Sequence, residues 1–515
     1  MKKIFLLSLC TLALASCNLD ILPENKLTYS NSFEGETELN TTTTSIHFYI
    51  NTVIGNNPVF TSVGVKADEL QEGTQLREWN PRRVISNDNS WKGLYNIIFE
   101  SNLLLDNIHR TKGLSDERKN YHMGQAEFGL GLSYFLIAQR YGEAVITENS
   151  SAIKPYSLSS QTEVLATAIE HAKKAYDILP LYNALRDVNG TLITNRQVAS
   201  KGTAATLLAH LYAWRGSMIE LYNLKGNAQE DYQKSVEYAT MIINKQVGNY
   251  SLCESPEQLC NLLSNPQQEN PEVIFSIFFD KNRDAYTSSP NEVAKNFASW
   301  PVKEDKTLAD ITSNTSYRLY KSTIQTLFAD ETDKRPAAFF YDYSSEHMAD
   351  GKDYAIPYKF RRAILDINQY TNTGKEYRTI DADYVYWRLA DMYLLRAECY
   401  NKLQNTAAAI ADLNIIRNRA GASSYPSTND TDGLKKAIFR EREKEFIVEN
   451  DSRYADIIRN NYIKEELEGK FKTLSAKDIS EGALFLPLPA SSWQDKDGHI
   501  INTLLRQKPY WQRYQ

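Results

Sequence analysis

Histidine and cysteine are scarce in this chain of 515 residues, at 7 and 5. No Cys-x2-Cys pair or Cys/His cluster has zinc spacing, and there is no HExxH. GxSxG, the phosphate-binding loop and the dinucleotide fingerprint are missing too, so no motif supports an enzyme. Positive charge is not in excess. Lys and Arg number 58 against 64 Asp and Glu, a formal charge of −6. That argues against a nucleic-acid partner, which leaves a basic footprint. Beyond the first residues, no apolar run reaches the ~18 residues that could cross a bilayer. With 42% hydrophobic and 24% charged residues, the composition is globular and excludes disordered, collagen-like and polytopic membrane chains. What the chain has in plenty is tyrosine, 32 residues beside 7 Trp and 19 Phe. That is more than a core requires and leaves rings for display.

The first residues form a leader. Lys2 and Lys3 give a positive start, and Ile4 to Ala15 an apolar run too short to span a membrane. It ends in Leu14-Ala15-Ser16-Cys17, which resembles the bacterial lipobox. The resemblance implies a signal peptide over 1–16, cleavage before Cys17 and acylation of its thiol. The lipid would be the only membrane attachment. Cys253, Cys260 and Cys399 then remain. A bridge from Cys253 to Cys260 and buried free thiols are both open.

Residues 17–45 are polar and Thr/Asn-rich and predict an extended arm from the anchor. Helical periodicity follows. Leu94, Ile97, Ile98, Leu104, Leu105 and Ile108 form one stripe, with Trp91 assigned to the helix core. Further helices are predicted near 117–141, 161–180, 197–222 and 229–246. From about 247 to 380 prolines break the pattern, with a strand-like run at 273–278, and long functional loops are expected. Helices return at 383–403, 406–420 and 433–460, with Gly421 placed as the residue that ends the second of these. Leu-x3-Tyr recurs at Leu130/Tyr134, Leu208/Tyr212 and Leu389/Tyr393. The following helices carry Ala172, Ala239 and Ala409, small residues that let paired helices approach. The fold class is therefore mainly α, with tetratricopeptide-like helix hairpins forming a superhelical scaffold (about 91–246 and 383–460) and a loop-rich ligand-binding half.

Several segments resemble one family in its own order. Tyr386 to Glu398, Ala411 to Gly421, Ile438 to Arg459, Phe485-Leu486-Pro487-Leu488-Pro489 and Gln507-Lys508-Pro509-Tyr510 are similar to the C-terminal motifs of the SusD/RagB lipoproteins. Cys17 to Asp20 with Pro23, Trp91 to Asn102 and Ala126 to Gly142 resemble that family's N-terminal ones. Asp391 stands where the family usually has Glu, Gly129 where it often has Arg, and Lys508 where it has Asn. The resemblance implies one SusD-like domain over 46–515 in a lipid-anchored, surface-exposed outer-membrane protein. It also implies a SusC-like TonB-dependent transporter as partner. The ligand it implies is an oligo- or polysaccharide or, as in RagB-like members, a peptide. No cofactor, metal or catalytic residue is implied.

Glycans bind by stacking on aromatic rings and by hydrogen bonds from carboxylates, amides and Arg. Two stretches outside clear helices offer that mixture. Asp68 to Trp79 gives Asp68, Arg77 and Trp79; Asp284 to Trp300 gives Tyr286 and Trp300. Glu441, Glu443, Glu445 and Glu449 could suggest a glycosidase pair. They share a helix with Arg440, Arg442 and Lys444, and Arg442 falls on the apolar face with Ile438 and Phe446, which predicts a buried ion-pair network instead. Asn429 to Asp432 is a polar loop leading into a helix, with Asp432 at its N-cap.

Overall fold

The computed structural model describes residues 33–55, 60–86, 90–152, 154–279, 288–450 and 452–515. The leader, Cys17 and the first part of the arm lie outside them. Helices dominate. The principal ones are α1 (Glu36–Gly55), α2 (Lys92–Asn107), α3 (Asp116–Arg140), α4 (Gln161–Ile178), α5 (Lys201–Tyr222) and α6 (Ala228–Ile243), then α7 (Leu389–Lys402), α8 (Thr406–Ala420), α9 (Gly433–Phe446) and α10 (Arg453–Asn460).

The helices stack in sequence. α1 packs on α2, α2 on α3, and each later helix on the next through α8. The stack is unbroken in space although some 140 residues separate α6 from α7 in the chain, since α6 packs directly on α7. Close approach inside the hairpins has a visible cause. A Cβ on Gly131 of α3 would stand 3.0 Å from the backbone N of Ala172 in α4. Ala172, Ala239 and Ala409 are all fully buried. Local signals fix the ends. Ser160 and Glu163 form a capping box on α4, and Gly421 ends α8 in the left-handed region at φ 73°.

Three expectations need correction. The arm is not extended to residue 45, because α1 begins at Glu36 and buries Leu39, Thr43, Ile46, Ile50 and Val53 at helical spacing. The segment 383–403 is not one helix: Tyr384–Arg388 is a strand, β9, that pairs antiparallel with β2 (Val273–Ile277). The helix expected over 433–460 breaks after Phe446, where Ile447 turns extended at ψ 136°. Asp432 does precede α9, but its side chain makes no cap bond. Cys253 and Cys260 are buried free thiols in different hydrophobic clusters.

The segment between α6 and α7 holds most of the β structure. A five-stranded sheet runs β1 (Glu69–Leu70), β3 (Tyr317–Tyr320), β6 (Lys352–Pro357), β4 (Phe340–Tyr341), with β5 (Met348–Ala349) also on β6. A separate hairpin joins β7 (Ala363–Ile367) to β8 (Lys375–Ile380). No helix among the described residues is long and apolar enough to cross a membrane.

The charged face of α9 is a buried network. Arg442 pairs with Asp391 at 2.7 Å and Asp456 at 3.0 Å. Glu445 meets Arg335, Arg388 and Arg419, and Glu449 meets Arg388 and Lys359. Glu441 is held by Arg335 and Arg417, and Glu443 by Arg440 and Arg453. Burial alone would raise these carboxyls. The surrounding cations outweigh it, and Glu443 is pushed down to about 2 by Arg453, Lys66 and Arg440.

Candidate ligand-binding site

The alternation of side chains along the five-stranded sheet decides what each face carries. Leu319, Phe340 and Ala355 point into a hydrophobic cluster. The opposite face carries Glu69 opposite Arg318, Tyr320 opposite Tyr354, and Tyr341 opposite Ile356. Tyr354 and Ile356 are buried there under Ile311, while Trp300, Tyr320 and Tyr341 pack around them half-exposed. Trp300 stands edge-on to Tyr341 at 5.2 Å.

One carboxylate organises the polar end of this face. Glu69 accepts from Arg318 Nε at 2.7 Å, from the Tyr320 hydroxyl and from Lys352 Nζ. Desolvation pulls its pKa up, but Lys352, Tyr320 and Arg318 win and hold it at about 2. It is therefore ionised at any ordinary pH and clamps β1, β3 and β6 together. The Lys352 ammonium lies 5.3 Å from the Tyr320 ring centroid.

The sequence-predicted residues separate. Asp68 is exposed, and its carboxylate accepts from Tyr320 N at 2.6 Å and Thr323 Oγ1 at 2.7 Å. Arg77 donates through Nη2 to Ala67 O and Glu468 Oε1, both at 2.7 Å. The two line one cleft of about 320 Å³ with Lys66, Thr323, Arg453 and Glu468. Trp300 lies on the aromatic face. Tyr286 lies outside the described residues.

Trp79 is the correction. It is 0% exposed. Its ring stacks on Phe471 at 4.9 Å and meets Trp511 edge-on, and its indole N–H donates to Ala483 O at 2.8 Å. A large ring with its one donor satisfied inside the core has nothing left for a ligand. Trp91, by contrast, is in the core as expected, edge-on to Tyr95 and Tyr141.

Sequence reasoning placed Glu69 in the first candidate stretch without choosing it, and passed over Arg318, Tyr320, Tyr341 and Lys352. Glu69 sat next to a chosen residue, and the alternation of Arg318 and Tyr320 around buried Leu319 was a readable strand signal. Their convergence was not readable.

Two family models match the chain: the SusD family over residues 223–485, and starch-binding proteins associating with the outer membrane over residues 19–212. SusD-like protein P25 of Formosa agariphila is 23% identical over 447 residues, covering 80% of this chain and 77% of that protein. Among solved structures, a SusD homolog from Bacteroides thetaiotaomicron superposes with a TM-score of 0.73 at 19% identity, covering 93% of this chain and 98% of that one. NanU of Bacteroides fragilis gives 0.67 at 20% identity, covering 95% and 99%. The likeness to these structures is one of fold.

Proposed function

The chain belongs to the SusD family, and from that premise we propose that it is a surface lipoprotein of the outer membrane that captures a glycan. It hands this ligand to a SusC-like TonB-dependent transporter and is anchored through Cys17. The observation that carries the reading is the half-exposed Trp300–Tyr341–Tyr320 face beside the charged cluster of Glu69, Arg318 and Lys352. Rings take the apolar faces of sugars, and the charged groups take their hydroxyls. The description of the family matched over the N-terminal part, starch-binding and outer-membrane-associated, supports the same reading.

The role is capture without chemistry. A glycosidase acid needs a raised pKa, and the four glutamates on α9 and at its end are all pushed down by their cations. The test is calorimetric titration of the full-length protein in detergent against a panel of polysaccharides and a peptide digest. Saturable heat with a glycan and no product release is expected. Heat from the digest alone would replace the glycan with a peptide.

A further inference from the structure

A second, larger groove of about 480 Å³ opens beside the Asp68–Arg77 cleft and shares Lys66 and Thr323 with it. One wall is α9, which contributes Arg440 and Lys444. Other walls are the helix Lys321–Leu327 with Asp330 after it, Arg417 of α8, and the loop before α9, with Ser423 and Asn429. Among the described residues, no aromatic ring lines it. Binding there must come from charge and hydrogen bonds.

Most charges in the groove are already spoken for. Asp330 accepts from Ser423 N at 2.6 Å and Thr332 Oγ1 at 2.7 Å. Asp430 is forked to Arg417, and Glu443 is held by Arg440 and Arg453. Asp432 is exposed at the mouth. Lys444 differs. Among the described residues its ammonium has neither a hydrogen-bond acceptor nor a carboxylate within ion-pair distance, and its nearest aromatic neighbour is the Phe328 ring, 5.9 Å away. The carboxylates whose field it feels, Glu441 and Asp333, are bound to Arg335 and Arg417. Burial pushes the Lys444 pKa down. Lys444 is half-buried in the groove wall, and a partly desolvated ammonium without a counterion is stabilised by an anionic oxygen that reaches it from the groove.

We infer that the captured glycan contains an acidic sugar, whose carboxylate or sulfate seats against Lys444 while Thr323, Ser423 and Asn429 take its hydroxyls. The inference rests on the glycan reading above. It makes the groove a charge-selecting subsite beside the Asp68–Arg77 cleft.

The test pairs each acidic polymer with a neutral counterpart: polygalacturonate with its methyl ester for carboxylate, and dextran sulfate with dextran for sulfate. Affinities are measured for the full-length protein in detergent at two salt concentrations. One acidic member is expected to bind more tightly than its counterpart and to weaken with salt. Lys444→Met should lose roughly ten-fold or more of that affinity, and Lys444→Arg should keep most of it. Lys444→Met should melt no lower than the unsubstituted protein, which separates lost binding from lost fold. Acidic polymers binding no better than their partners, or equally well to Lys444→Met, would overturn the inference. Binding of a neutral glycan would then leave the capture reading intact, whereas silence from every glycan with heat from peptide would end both.

Discussion

At the scale of single residues, two tryptophans with similar sequence surroundings have opposite fates. Trp79 and Trp300 both sit among polar residues outside the long helices. Trp79 occupies the left-handed region at φ 53° and fills the core, while Trp300 stays half-exposed on the sheet. Sequence shows that a ring is present, not which way the turn aims it. Trp79→Ala should cost about 3–5 kcal/mol in chemical denaturation, the range for deleting a buried aromatic. Trp300→Ala should barely move the midpoint but weaken glycan binding roughly ten-fold through lost stacking. A Trp300→Ala protein that binds as well as the parent would remove the aromatic face from the site. Lys508, which departs from the family's usual Asn, carries a second prediction. It is buried, its ammonium donating to Leu486 O at 2.9 Å, and burial pushes its pKa from 10.5 to about 7, with Glu143 only partly offsetting. Between pH 7 and 10.5 the unfolded chain holds a proton there that the folded chain does not. Folding stability contributed by this site therefore rises with pH across that window, by up to about 1.4 kcal/mol per unit. Lys508→Met should flatten the rise in denaturation curves; an unchanged slope would contradict a depressed lysine.

Elements were far more legible than sites, because a helix writes its period into consecutive residues. The stripe from Leu94 to Ile108 and Gly421 at the end of α8 predict their helices to within a few positions. The failures have physical reasons. Thr41 to Thr44 hid α1, since a run of β-branched polar residues reads as a loop, yet Leu39, Thr43, Ile46, Ile50 and Val53 carry the helical period. Tyr384 to Trp387 fits strand or helix equally, and the partner that makes it a strand, Val273–Ile277, lies more than 100 residues away. The pairing of α3 with α4 is open to direct test at Gly131. A β-branched side chain there would drive its Cβ into the Ala172 backbone, which cannot swing aside. Gly131→Val should therefore lose about 1–3 kcal/mol to overpacking, read as a lower denaturation midpoint. A midpoint that stayed put would mean that the hairpin does not pack this closely.

The whole molecule explains why the site escaped the sequence. The helical stack is assembled from neighbours, but the candidate face is assembled from strangers. Glu69 meets Arg318 across 249 residues and Lys352 across 283. No local period or spacing records such a convergence; it exists only once the sheet between α6 and α7 has folded against residues 66–77. Glu69 is thus both a strut of the fold and the support of Tyr320, and its charge state should show in both. Its carboxyl titrates near 4.5 when unfolded and near 2 when folded. The stabilisation is complete above 4.5 and is lost as pH falls toward 2. Glu69→Gln removes that dependence. Its melting temperature should lie below the parent's at neutral pH, and the gap should close as both are taken from pH 4.5 to pH 2. At neutral pH the same substitution removes the charge that draws Arg318, Tyr320 and Lys352 together and should weaken glycan binding in calorimetry. A gap that persists unchanged to pH 2 would mean that the loss at neutral pH comes from packing rather than from the clamp. Unaltered binding would place the ligand away from Tyr320 and toward the Trp300 end of the face.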